Sequence, residues 1–128
     1  MECHDCMKIP WSDNGRTTLT ANDFITINVS GARYETLRTT LQRFPKTLLG
    51  KDVTRRPYFV PAKNAYFFDR CKTSFDAILL YYQTDGILTR PRCIPMEVFE
   101  KEVQFFNLGE KVALKFLFCF FPMAVSFC

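Results

Sequence analysis

Residue types that enzymes and nucleotide-binding proteins depend on are scarce in this sequence of 128 residues. It contains a single histidine, His4, and only five glycines, which lie far apart. Nucleophilic catalysis needs a base held beside the nucleophile, and a phosphate-binding loop needs clustered glycines. The sequence therefore predicts neither an enzyme nor a nucleotide-binding loop.

Runs of basic residues are also missing. The 17 basic and 13 acidic residues give a net charge of +4, and Arg55-Arg56 is the only adjacent basic pair. Nucleic-acid-binding domains usually concentrate their positive charge on one face or along one helix. We therefore expect a mildly basic solvated surface and no nucleic-acid partner.

Cysteine is present, but not in a pattern that indicates disulfides or a metal site. Residues 1–10 carry charges and no apolar segment of the kind a secretory signal needs, so we expect a reducing compartment and free thiols. Cys3, His4 and Cys6 resemble half of a zinc site, but no second pair follows. We predict no metal and no cofactor. The six cysteines are Cys3, Cys6, Cys71, Cys93, Cys119 and Cys128.

What the sequence does contain is apolar material for one core, since 48% of residues are hydrophobic. Residues 1–22 read as a flexible leader, residues 23–114 as one domain, and residues 115–128 as a hydrophobic tail. Within that tail, residues 116–125 (FLFCFFPMAV) are uncharged. This run is shorter than the roughly 20 residues that span a membrane, and a proline interrupts it.

Local patterns predict short strands followed by helices. Residues 24–29 alternate as a strand does, and residues 58–60 and 66–68 are aromatic strands that could pair across a turn. Residues 87–88 read as a further short strand. Residues 51–56 read as a charged loop.

Helical spacing of apolar residues predicts the remaining elements. The clearest helices are residues 73–84 and 95–106, with a third over 34–44, a short turn over 46–50 and a further one from about residue 110. In the helix at 95–106, we expect the glutamates to lie outside the buried stripe, on a solvated face. These glutamates are Glu97, Glu100 and Glu102. The combination is a small α+β domain.

Five motifs in order resemble the T1 tetramerisation domain of voltage-gated potassium channels, a BTB/POZ-like fold. The resemblance covers roughly residues 24–111, most of the chain, and the YFFDR, SFDAIL and YYQ signatures look Shaker-type. The motifs are INVSGARYET (27–36), RFPKTLLG (43–50), NAYFFDR (64–70), SFDAILLYYQ (74–83) and VFEKEVQFFNLGE (98–110).

The resemblance implies a role that composition does not. T1 domains assemble as a ring of four on the cytoplasmic face of the membrane, below the channel pore, and select which subunits co-assemble. In Shaker-type channels the ring can also dock a cytoplasmic β-subunit. The family's contact between subunits is largely polar, and by position it implies Thr36, Asp69 and Arg70 as interface residues. The alternatives are a local Asp69–Arg70 ion pair and a Thr36 that is an ordinary helix-surface residue.

Departures from the family pattern bear on which channel subfamily this chain resembles and on which subunits it joins. Non-Shaker subfamilies carry an interface zinc site, but Thr89 and Pro95 stand here where its histidine and first cysteine would be, and Cys119 is single. This supports the Shaker type. Ala32, Leu37 and Cys71 are unusual near the expected interface, which leaves the choice of partner subunits open.

The sequence after residue 110 differs from the charged linker that the family carries there. It holds no voltage sensor, pore or selectivity filter, so we expect this chain not to conduct ions by itself. A fragment, a truncated transcript and a natural short product that joins full-length subunits all fit the sequence. A BTB adaptor for a cullin-type ubiquitin ligase is the alternative function, although the substrate-binding region of such adaptors is not recognisable here.

Overall fold

The computed structural model describes residues 18–109, and its centre is a four-stranded mixed sheet in the order β2-β1-β4-β3. β1 pairs antiparallel with β2 and parallel with β4, while β3 pairs antiparallel with β4. The two edge strands are therefore β2 and β3. The strands are β1 (Phe24–Val29), β2 (Ala32–Leu37), β3 (Phe59–Val60) and β4 (Ala65–Phe68).

Four α-helices and several 3-10 turns complete the described part of the chain, and together with the mixed sheet they confirm the predicted α+β class. The two long helices were both predicted, to within one or two residues at each end. The helices are α1 (Arg38–Leu41), α2 (Asp52–Arg55), α3 (Lys72–Gln83) and α4 (Met96–Phe105). The 3-10 turns are Ala21–Asp23, Leu48–Gly50, Arg56–Tyr58 and Pro61–Lys63.

The predicted helix over 34–44 is wrong, because most of it is β2 and only Arg38–Leu41 is helical. Ser30 and Gly31 both have positive φ, at 50° and 100°, which is the backbone of a two-residue hairpin turn. This turn folds the chain back so that Thr36 pairs with Ile25 in the β1 register. Strand pairing therefore overrides the helical spacing of the apolar residues.

The predicted hairpin of two aromatic strands is confirmed. Phe59 pairs with Tyr66, and their ring centroids lie 5.1 Å apart in an edge-on arrangement. Asn64 supplies the left-handed turn residue, with φ of 52°. The expected strand at residues 87–88 is wrong, because these residues have no regular structure.

One side of the sheet packs against α3 and α4 and forms an aromatic core. Phe75 and Phe106 are fully buried there with ring centroids 5.4 Å apart, and Phe106 also meets Phe68 at 5.3 Å. Gly50 lies so close to the backbone of Phe44 and Pro45 that a Cβ atom would come within 2.0 Å of the Phe44 carbonyl oxygen. The RFPKTLLG motif thus needs its glycine for close packing.

Two predictions about charged residues are wrong, because Arg55 and Glu102 are buried and each has a hydrogen-bonding partner within the chain. The expected charged loop over 51–56 contains α2, and its Arg55 is fully buried. Glu102 was expected on a solvated face but is only 6% exposed. Glu97 is exposed, as expected. The helix expected from about residue 110 lies outside the described residues.

Candidate subunit interface

Thr36 lies on β2, an edge strand with one side paired to β1 and the other side open. An open edge presents unpaired backbone groups and is a natural place for another chain to contact the sheet. The Thr36 side chain lies on the same face as its cross-strand partner Ile25, which is buried in the core. Thr36 itself is only 7% exposed, so it is not the ordinary helix-surface residue of the alternative interpretation.

A groove of about 520 Å³ runs beside this edge, and we call it the Thr36 groove. Arg43 crosses its end, where its guanidinium donates hydrogen bonds to the Tyr82 and Gln83 carbonyl oxygens at 3.0 and 3.3 Å. These partners are neutral, so the arginine keeps its net charge. The groove can therefore receive a hydrogen-bonding or anionic group from outside. Its lining residues are Phe24, Glu35, Thr36, Leu37, Thr40, Arg43 and Gln83.

Asp69 directly follows β4 and is exposed. Within residues 18–109, its carboxylate has neither a hydrogen-bond nor an ion-pair partner. The local Asp69–Arg70 ion pair considered from the sequence is therefore not formed. An exposed, unpaired carboxylate is well hydrated and available to a partner surface.

Arg70, in contrast, is engaged within its own chain. Its Nη2 and Nε donate to the two carboxylate oxygens of Glu102 at 2.9 and 3.2 Å, a bidentate arrangement. Its guanidinium also lies 4.0 Å above the Phe105 ring, and its carbonyl oxygen accepts a hydrogen bond from Ser30 Oγ at 2.7 Å. Arg70 thus ties the β4 end to α4 and to the β1–β2 turn, which is a role in folding.

The three candidate residues do not form one cluster. Thr36 pairs with Ile25 near the start of β1, whereas Phe68, just before Asp69, pairs with Val29 at the end of β1. β2 and β4 also flank β1 on opposite sides. Thr36 and Asp69 therefore mark two different surfaces of one chain, at opposite ends of the sheet.

Two tyrosines near these surfaces, the partly buried Tyr34 and the fully buried Tyr82, have raised pKa values. Burial, followed by a 2.8 Å hydrogen bond to Asp76 Oδ1, raises the pKa of Tyr34 on β2. Burial also raises the pKa of Tyr82, whose hydroxyl donates to Thr47 Oγ1 at 2.5 Å. Both phenols stay protonated at physiological pH and act as hydrogen-bond donors that fix α3 against its neighbours.

Sequence reasoning missed Arg55 and Glu102 as buried charges. Phe99, Glu102, Val103 and Phe106 follow the i, i+3, i+4, i+7 spacing, so Glu102 occupies a core-facing position that the pattern could have revealed. For Arg55 no such signal exists in the sequence. Its partners, the Leu49 carbonyl at 2.5 Å and Asp52 Oδ1 at 2.8 Å, come together only in the folded chain.

Residues 18–109 hold neither a metal-binding cluster nor a membrane-spanning helix. Across residues 18–109, no group of three or more histidine, cysteine or acidic side chains is placed to hold a metal ion. In the same range, no helix has both the length and the apolar character needed to cross a bilayer. The Cys3, His4 and Cys6 cluster and the apolar run at 116–125 lie outside it.

The sequence model of the BTB/POZ domain family matches residues 25–116. The match begins in β1 and covers every strand, every helix and each of the three candidate residues. It therefore applies to the whole of the structure described above from residue 25 onward.

Similar proteins carry the names of potassium channels. The human potassium voltage-gated channel subfamily A member 4 is 54% identical over 92 residues, which are 72% of this chain and 14% of that protein. The mouse subfamily A member 2 is 52% identical over 87 residues, 68% of this chain and 17% of that protein. The chain thus spans less than a fifth of the length of these relatives.

Proposed function

This chain belongs to the BTB/POZ domain family, and we propose that it is the tetramerisation domain of a voltage-gated potassium channel subunit of the Shaker type. The observation that carries the proposal is the 54% identity to a channel of subfamily A over 92 residues, 72% of this chain. The motif resemblance found in the sequence agrees with the names of these relatives. In this role the domain binds copies of itself or related subunits and determines which of them assemble into one channel.

Two separate surfaces on one chain are what a closed ring requires. In a ring each subunit uses one surface toward the next subunit and a different surface toward the previous one. We propose that the Thr36 groove of one copy receives Asp69 of its neighbour, with Thr36 and Arg43 as the polar partners of the carboxylate. Contacts of this kind select partners, because an unsuitable neighbour leaves polar groups buried without hydrogen bonds.

Arg70 enters this proposal as a positioning residue. Its bidentate pair with Glu102 fixes the end of β4, and Asp69 is the residue next to it. The three residues implied by the resemblance thus have different tasks. Thr36 and Asp69 contact the neighbour, whereas Arg70 holds Asp69 in place.

The proposed role is assembly without catalysis. Both relatives are named as channels, which favours a channel role over the cullin-adaptor alternative. Placement on the cytoplasmic face of a channel complex follows from the same role. Docking of a cytoplasmic channel β-subunit stays a prediction of the resemblance.

The mass of the chain in solution tests the proposal. Light scattering on a sizing column, over a range of protein concentrations, should give about 60 kDa, which is four chains of 15.0 kDa each. A mass that stays at one or two chains at the highest concentration would contradict tetramer assembly. A stable complex with a cullin scaffold would favour the adaptor function instead.

A further inference from the structure

A second groove, separate from the strand edge, opens at the end of the described chain, and we call it the Phe44 groove. Its volume of about 420 Å³ lies within the range of pockets that bind small ligands or side chains, roughly 300–1,000 Å³. It shares only Arg43 with the Thr36 groove. Its lining residues are Arg43, Phe44, Pro45, Lys46, Thr47, Tyr81, Asn107, Leu108 and Gly109.

The floor of the Phe44 groove is aromatic and held firmly in place. The Phe44 ring lies 4.6 Å from the Tyr81 ring and 5.8 Å from the Tyr82 ring, measured between centroids. The Leu48 amide donates to the Phe106 carbonyl oxygen at 2.9 Å, which joins the two chain segments that form the groove walls. Asn107 Nδ2 adds a 3.0 Å hydrogen bond to the Lys46 carbonyl oxygen. An apolar recess built on such a frame is suited to receiving apolar side chains.

The chain itself carries a suitable occupant close by. Gly109 is part of the groove wall, and only six residues separate it from residues 116–121, whose sequence is FLFCFF. Six extended residues reach about 20 Å, so the apolar segment can return to the groove without strain. The segment is uncharged and holds four phenylalanines, which match an aromatic floor.

We propose that residues 116–121 dock in the Phe44 groove of their own chain. Attachment at the groove wall gives this segment a high local concentration, which a segment from another molecule lacks. Docking removes the phenylalanines from water and covers Phe44 and Tyr81 in the same step. The groove is therefore an intramolecular docking site for a segment that a soluble domain would otherwise expose. This docking is independent of the proposed assembly role.

Proximity of Cys119 to the groove tests the docking in the full chain. Lys46 is exposed at the groove, and Lys63, also exposed, does not line it. Lys46→Cys and Lys63→Cys are therefore matched variants with the same chemical change. Under mild oxidation, peptide mapping by mass spectrometry should detect the disulfide to Cys119 at least roughly tenfold faster from position 46 than from position 63, because docking raises the local thiol concentration.

Changing two phenylalanines of the segment to aspartate tests whether the preference for position 46 depends on apolar docking. Phe118→Asp together with Phe120→Asp should remove the preference for position 46, while circular dichroism should show the same folded domain. The cross-linked product should keep the mass of one chain, 15.0 kDa. Equal rates at the two positions would overturn the proposal. A product of two chains would also overturn it, because the occupant would then be the segment of a second copy. A preference that appears only when phospholipid vesicles are added would overturn docking in the free chain.

Discussion

Two pairs of polar residues in this domain have opposite surroundings. Around α2 and at the β4–α4 junction, Arg55 and Arg70 have partners within their own chain. Along the β2 edge and just after β4, Thr36 lines an open groove and Asp69 has no partner within residues 18–109. The difference separates residues that stabilise the fold from residues that we propose contact a neighbouring subunit. Sequence position alone does not reveal it, since Asp69 and Arg70 are adjacent.

The largest loss of stability is expected from a change at Arg55, one of the two arginines whose partners lie within their own chain. Arg55→Ala removes a fully buried guanidinium that bonds the Leu49 carbonyl and Asp52 and lies 5.5 Å over the Tyr66 ring. We expect a loss of about 3 kcal/mol in the free energy of unfolding, because the packing of a buried side chain and its hydrogen bond to the Leu49 carbonyl both disappear. Urea denaturation at low protein concentration measures it.

Arg56 provides the matched control for this change. It also approaches Asp52, at 3.5 Å, but its side chain is 68% exposed. Arg56→Ala should leave the unfolding free energy almost unchanged, since exposed ion pairs contribute little. An equal loss of unfolding free energy from the two substitutions would contradict the prediction, because burial would then make no difference to what each arginine contributes.

A somewhat smaller loss of stability is expected from Glu102→Ala. Arg70 would lose its bidentate partner while its side chain is 28% exposed, so water can replace part of the interaction. We expect about 2 kcal/mol in the unfolding free energy. The exposed Glu97→Ala on the same helix is the control. Calorimetry of both variants checks the prediction, and a drop of the same size in the control would contradict it.

Alkaline pH should lower the stability of the folded chain by a smaller amount, through the ionisation of Tyr82. Burial raises the pKa of its phenol in the folded chain above the ordinary value near 10. Above that pH the unfolded chain binds fewer protons than the folded one, so stability is complete below about pH 10 and falls as pH rises further. Tyr82→Phe should lose about 1 kcal/mol at neutral pH, through the Thr47 hydrogen bond, and show a shallower decline. Urea titrations at pH 8 and pH 11 measure the unfolding free energy of the original chain and of Tyr82→Phe. If this free energy fell by the same amount in both between the two pH values, Tyr82 would not be the source of the pH dependence.

On the assembly side, Asp69→Ala should leave the stability of the isolated domain nearly unchanged, because the carboxylate is exposed and unpaired among the described residues. Its effect should appear as weaker association, by about tenfold in the dissociation constant per contact. The exposed Asp85→Ala, outside both proposed surfaces, is the control. Sedimentation equilibrium measures the constants, and an unchanged constant together with a lower melting temperature would assign Asp69 to folding.

The sequence predicts the parts of this fold that depend on local patterns. Alternation identifies β1, and helical spacing identifies α3 and α4. β2 was missed because its apolar residues also match a helix, and the Ser30-Gly31 turn decides between the two structures. The partners of Arg55 and Arg70 depend on contacts between distant segments, which periodicity does not contain. For Thr36 and Asp69 the prediction rested on family resemblance, and their separation on the sheet required the structure.

Mixing two single variants tests most directly whether Thr36 and Asp69 meet across a subunit contact. At a protein concentration where contacts weakened about tenfold no longer hold, Thr36→Val and Asp69→Ala should each fail to form the ring alone, because every contact then lacks one partner. In an equimolar mixture, an intact Thr36 groove on one variant can meet an intact Asp69 on the other, so light scattering should show pairs of about 30 kDa, twice the 15.0 kDa chain. A mixture no heavier than either variant alone would contradict the account.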